Sequence, residues 1–249
     1  MQQGYPDKNA YPQLVQGLLQ QVSFRSSERV ECVTLAMSGY SSFQGLKVAE
    51  LYAAKLKPAL ALVAFGWNDH WLAYGQTDAN KKINLKLIRV YQDVRLFQLA
   101  RKVLPSRPEE AMPIADVRVP IDQYRSNLEA IQRLLEGLGV EVVFLTAPTS
   151  HGLRGVPDNL VKMHFARDKE SVLALHRRYN QIVREVASAT GALLLDLEPE
   201  FELPAGMRYF KEDGIHFTPK GREILAMRVA EFLVERLGAH PAPAGHGPG

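Results

Sequence analysis

Four continuous apolar runs restrict what this chain can fold into. Residues 29–37, 59–65, 140–147 and 192–197 are mostly apolar, interrupted only by Arg29, Glu31, Thr34, Glu141, Thr146 and Asp196. Each stops at turn chemistry: Ser38-Gly39, Gly66, Pro148 and Glu198-Pro199. A strand with one wet face alternates apolar and polar residues, so an unbroken run fits a strand covered on both faces, as in a parallel sheet. Between the runs the period becomes helical. Residues 43–56, 171–189 and 219–237 read as helices, and 121–138 carries Tyr124, Leu128, Ile131, Leu135 and Leu138 on one stripe. Strands and helices that alternate in this way imply right-handed crossovers and a three-layer α/β/α fold.

A chain of 249 residues, 46% of them hydrophobic, can bury the core of one such domain, expected over residues 1–239. The interval 70–119 is longer than a crossover needs. Its helical stretch at 82–104 and the Pro/Glu/Arg-rich residues 105–113 predict a helical insertion. Residues 150–167 read as a second irregular loop, and 240–249 as a disordered tail. The net charge of +3 balances 30 basic against 27 acidic residues without a dense basic block, which argues against a nucleic-acid partner. No run of eighteen apolar residues is present, so no transmembrane segment is expected. The single cysteine, Cys32, sits in an apolar run and reads as a small buried side chain.

In open parallel sheets, ligands bind outside the carboxyl ends of the strands, where three suggestive turns fall. In the last of them, Asp213 precedes His216 by three residues. Its carboxylate can turn back onto the imidazole Nδ1–H and leave Nε2 to take a proton from a hydroxyl. The plainer alternative is a turn aspartate and an incidental histidine, with Thr218 capping the helix that starts at Pro219. Asn68, in Gly66-Trp67-Asn68-Asp69, can point a side-chain NH₂ at a developing oxyanion, and Gly39 can bring a backbone N–H close to a ligand. Taken singly, both are also ordinary turn residues. Ser41 and Ser42 read more readily as caps of the helix from Phe43 than as nucleophiles. Trp67, His70 and Trp71 are candidates for lining a substrate pocket, and His151 and His164 for touching substrate. No histidine pair has metal-ligand spacing, and no Gly-rich phosphate loop supports a nucleotide binder.

Together these blocks resemble those of the SGNH/GDSL hydrolases, a superfamily of esterases and lipases. Ser38-Gly39-Tyr40-Ser41-Ser42 is similar to the block that supplies its glycine. Gly66-Trp67-Asn68-Asp69 is similar to its Gly-x-Asn-Asp block, and Asp213-Gly214-Ile215-His216 to its Asp-x-x-His block. The resemblance implies a flavodoxin-like parallel sheet of order 2-1-3-4-5 and hydrolysis of a small-molecule or carbohydrate ester through an acyl-serine, with no metal or organic cofactor. It makes Gly39 and Asn68 oxyanion donors, His216 the general base and Asp213 its orienting partner. The chain departs from the pattern in having no Gly-Asp-Ser block. Tyr11-Pro12-Gln13-Leu14-Val15 looks like the helix that follows that block, so the nucleophile and the central first strand are expected upstream of Met1. The chain as written is then expected to be inactive. The competing expectation is a non-catalytic ligand-binding domain of the same fold.

Overall fold

The computed structural model describes residues 10–23, 30–80, 114–237 and 240–241. In chain order the elements are α1 (Tyr11–Leu19), β1 (Val22–Ser23), α2 (Ser42–Leu56), β2 (Leu60–Ala64), α3 (Trp67–His70), β3 (Leu72–Tyr74), β4 (Ile114–Val117) and α4 (Ile121–Glu136). They continue with β5 (Glu141–Leu145), α5 (His151–Arg154), α6 (Asp158–Lys162), α7 (Lys169–Thr190), β6 (Leu193–Leu195), α8 (Glu198–Phe201), a 3₁₀ turn (Pro204–Tyr209), α9 (Pro219–Leu237) and β7 (His240–Pro241). They form two compact units. One comprises Met37–Ala147 and Val156–Asp196, the other Met1–Ala36, Pro148–Gly155 and Leu197–Gly249.

The first unit holds the parallel sheet, ordered β2-β5-β6. β2 runs beside β5 from Leu60↔Glu141 to Ala64↔Leu145, and β5 beside β6 from Val143↔Leu193 to Leu145↔Leu195. Val142, Val143, Phe144 and Leu145 of β5 are all buried, as expected of a strand covered on both faces. Tyr124, Leu128, Ile131 and Leu135 of α4 join Tyr179, Ile182, Val183 and Val186 of α7 in one core cluster. Fully burying side chains of this size stabilises the fold by about 1.5–3 kcal/mol each. The stripe predicted on α4 ends one residue early. Leu138 lies beyond the helix, which ends at Glu136 with Gly137 as its C-cap, and is 45% exposed.

β3 and β4 form an antiparallel stem, pairing Leu72↔Val117, Ala73↔Ala115 and Tyr74↔Ile114. Beyond it, the buried Asp78 carboxylate receives Arg118 Nη2 at 2.7 Å and Nε at 3.2 Å, and the Ser41 hydroxyl at 2.8 Å. The main chains are joined as well, since Asp78 N–H donates to the Arg118 carbonyl at 2.9 Å. The helix expected at 82–104 lies outside the described residues, as do residues 242–249 of the expected tail. His240–Pro241 pairs with β1.

One expected strand is absent. Residues 30–37 are irregular, and Val33, Leu35 and Met37 are 56%, 38% and 64% exposed. Among the described residues, β2 has no strand on the edge opposite β5. β-propensity measures fit to a pleated, partnered surface rather than an intrinsic backbone preference, so an apolar run without a ladder partner does not become a strand. Cys32, expected to be buried, is only partly so; its N–H donates to Gln16 Oε1 at 2.8 Å.

In the second unit α1 packs on α9, with Val15 and Leu19 of the former and Leu225, Ala226, Val229 and Leu233 of the latter buried. Phe210 stacks on Phe217 at 4.8 Å between centroids, and Phe201 meets Phe217 edge-on at 5.3 Å. Phe210 and Phe217 bracket the loop that carries Asp213 and His216 and form an antiparallel bridge at its ends. Thr218 accepts the Gly221 N–H at 3.1 Å and caps α9, as its position before Pro219 predicts.

Candidate active site

The Asp213–His216 loop is a compact hydrogen-bonded turn. Asp213 Oδ1 accepts the N–H groups of Ile215 at 2.9 Å and His216 at 2.8 Å, and Oδ2 receives His216 Nδ1 at 2.9 Å. Partial burial acts to raise the Asp213 pKa, but these donors outweigh it and hold the carboxyl below its ordinary value. The carboxylate therefore stays ionised and fixes the ring with its proton on Nδ1. The His216 side chain is 73% exposed, which leaves Nε2 facing solvent as a base.

The main chain of this loop is gripped from one side. The Gly214 carbonyl accepts from Ser150 N–H at 3.0 Å and from Thr149 Oγ1 at 2.9 Å, while the Asp213 carbonyl accepts from His151 Nε2 at 2.7 Å. Gly214 has φ +73°, and a Cβ there would stand 2.4 Å from His151 Cδ2, so no other residue fits without displacing the ring. His151, read from the sequence as a candidate for touching substrate, is instead buried; that burial lowers its pKa against the opposing pull of Asp213. His164, the other candidate, is exposed on the loop after α6, with φ +58°.

In the sheet-bearing unit, Gly39 adopts φ +82° in a turn closed by Tyr40 N–H to the Met37 carbonyl at 3.1 Å. A type II turn needs that sign of φ at its third position. Asn68, on α3 just past β2, donates Nδ2–H to the Tyr40 carbonyl at 3.0 Å. The two oxyanion candidates are thus joined through Tyr40. An amide carries two N–H donors, and the Tyr40 bond fixes the orientation of both.

Asp69 beside it is fully buried and accepts from Ser42 N–H at 2.8 Å and Gly66 N–H at 3.1 Å, tying the start of α2 to the end of β2. Burial pushes its pKa up to about 7 despite these donors. Ser41 Oγ lies 2.6 Å from Gln44 Oε1 and 2.8 Å from Asp78 Oδ2, and Ser42 Oγ accepts from Asn127 Nδ2 at 2.9 Å. Both serines are 0% exposed, so their hydroxyls serve the framework.

The three aromatic candidates form one cluster on α7. Trp67 stacks on His176 at 3.8 Å and 16°, and the buried His70 places Nε2 3.0 Å from His176 Nδ1. His176 Nε2 lies 2.6 Å from the Ala147 carbonyl, which can only accept, so the proton is on Nε2. Asn180 completes the anchor, exchanging two 2.9 Å bonds with the backbone of Ala147. His70 and Trp71 also line a cavity of about 370 Å³ with Val117, Ile121, Leu175 and Tyr179. Sequence reasoning passed over His176 and Asn180, which look like polar interruptions of a helix. Their i, i+4 spacing on the buried face of α7 was the available signal. Among the described residues no group of His, Cys, Asp and Glu side chains is gathered to hold a metal ion.

Residues 2–224 match the GDSL-like Lipase/Acylhydrolase family, and the chain belongs to it. No curated protein matches the sequence. Among solved structures, the lipase/acylhydrolase from Enterococcus faecalis is similar at 17% identity and a TM-score of 0.60, over 94% of this chain and 88% of that one. The acetylxylan esterase Axe2 from Geobacillus stearothermophilus is similar at 18% identity and a TM-score of 0.55, over 95% and 84%. The psychrotrophic esterase EstA from Pseudoalteromonas sp. gives 11% and 0.55, over 94% and 91%. These likenesses establish the three-layer α/β/α fold of the SGNH hydrolases.

Proposed function

We propose that this protein hydrolyses carboxylic esters through an acyl-serine, with His216 as general base, Asp213 as its orienter and Gly39 and Asn68 as oxyanion donors. The observation that carries this reading is the 2.9 Å bond from His216 Nδ1 to an aspartate held ionised, with the opposite ring nitrogen exposed. In the reaction, Nε2 takes the serine proton as the oxygen attacks the ester carbonyl. The negative charge on that oxygen is met by the Gly39 N–H and the Asn68 amide, and the proton passes to the departing alcohol. Water then repeats the sequence and frees the acid. Acetyl groups on a carbohydrate are the favoured substrate, in keeping with the acetylxylan esterases among the structural neighbours.

Ser41 and Ser42 are committed to Asp78, Gln44 and Asn127 and are fully buried, so neither is placed to attack, and we expect the chain as written to be inactive. The test is labelling by a fluorophosphonate together with turnover of p-nitrophenyl esters of increasing length. Both are run on this chain and on a form extended upstream. The extended form should label and hydrolyse short esters, and lose both on replacement of the upstream serine by alanine. If the extended form neither labels nor turns over any ester, the fold serves ligand binding alone.

A further inference from the structure

We propose that His151 is a positioning residue that sets the aim of the Asp213 carboxylate through its main chain; this assignment rests on the ester-hydrolase reading above. The Asp213–His216 bond depends on where the carboxylate points. That direction is fixed by two things, the side-chain torsions and the orientation of the peptide planes that carry it. The torsions are held by the N–H groups of Ile215 and His216 on Oδ1. Within the loop the planes are held by Gly214 N–H on the Lys211 carbonyl at 3.0 Å and Lys211 N–H on the His216 carbonyl at 2.7 Å, and from outside it by residues 149–154.

Four carbonyls around the loop are taken in this way. Thr149 and Ser150 grip the Gly214 carbonyl, His151 the Asp213 carbonyl, and the Arg154 guanidinium the carbonyls of Lys211 at 2.8 Å and Met207 at 3.0 Å. Of these, the His151 bond is the one that acts on the peptide plane bonded directly to the Asp213 Cα. It is also buried, with the imidazole 2% exposed. The carbonyl can only accept, so His151 must carry its proton on Nε2, and burial keeps the ring from taking a second proton near neutral pH. The ring has a steric role too. It fills the space over Gly214, where a Cβ would be 2.4 Å away, and so holds the φ +73° turn from which Ile215 and His216 donate back to the carboxylate.

The orientation of the His216 ring reads this out directly and needs no turnover. In the protein labelled with ¹⁵N-histidine, with the ring neutral, the His216 shifts should report the Nδ1–H tautomer that Asp213 imposes. His151→Phe keeps the ring volume and removes the donor; it should shift His216 to the Nε2–H form that free histidine favours. His151→Gln places an amide N–H where Nε2 was and should restore the wild-type signature. His151→Asn, whose amide is too short to reach the carbonyl, should not. Retention of the Nδ1–H signature in a folded His151→Phe protein would overturn the proposal. Should that variant not fold, equal signatures in the Gln and Asn proteins would overturn it instead. If the wild type itself lacks the Nδ1–H tautomer, the Asp213–His216 reading fails first, and the two failures are thereby told apart.

Discussion

Asp69 and Asp213 sit in motifs of similar appearance, and each accepts backbone N–H groups from a turn. Their environments make them different groups. Asp69 is fully buried, ties Ser42 to Gly66, and has its pKa pushed up to about 7 by loss of solvent. Asp213 keeps access to water and has its pKa lowered by its donors, two backbone N–H groups and the His216 ring. The first is a structural strut and the second a charge held ready beside an imidazole. Residue type in a motif thus does not settle its role; burial and the partner on the second oxygen do.

This contrast can be broken most severely at Asp213. In any form of the protein that turns over an ester, Asp213→Asn should lower kcat by about 10⁴-fold, because an amide cannot hold the ring in the tautomer the proposed mechanism needs. Urea unfolding of the same variant should show a loss of only about 1 kcal/mol. Asp69→Ala should do the reverse to stability, since it leaves two buried N–H groups unpaired at about 1–3 kcal/mol each, so a loss of about 4 kcal/mol in the same unfolding experiment is expected. Similar stability losses in the two variants would erase the distinction.

A pH series sharpens it further. The folded Asp69 pKa of about 7 lies above the ordinary 3.8, so between those values the folded chain binds a proton that the unfolded chain has released. Stability from this group is therefore greatest near pH 4 and declines as pH rises towards 7, by at most about 4 kcal/mol. Asp69→Asn should flatten that part of the profile. Asp213 works with the opposite sign: what it contributes is present above its unfolded pKa and is lost as pH falls through its lower folded value. The smallest effect is expected at Thr218→Ala. Removing the cap of α9 should cost about 1 kcal/mol in thermal unfolding and leave the His216 tautomer unchanged.

Most of this framework was legible in the sequence where short-range rules act. The runs at 59–65, 140–147 and 192–197 became β2, β5 and β6, and the helices between them fell within a few residues of their periodic stretches. The Asp213–His216 contact was one of two readings the three-residue spacing allowed, and the family resemblance favoured it. What was not legible depends on partners distant in the chain. Residues 30–37 have strand composition but no ladder partner among the described residues, and composition does not show whether a partner is at hand. His151 looked like a loop histidine because its partner, the Asp213 carbonyl, is a backbone atom 62 positions away and leaves no trace in residue type. His70 and His176 pair across 106 positions for the same reason.

The stem formed by β3, β4 and the Asp78–Arg118 pair has a consequence for how such a protein can change. Because the chain is closed at its base by buried bonds, the entropy of whatever lies between depends only weakly on its length, about 0.6 kcal/mol for each doubling. The stem therefore acts as a socket for an exchangeable cassette. Residues can then be gained or lost beyond it at little cost to the sheet-bearing unit.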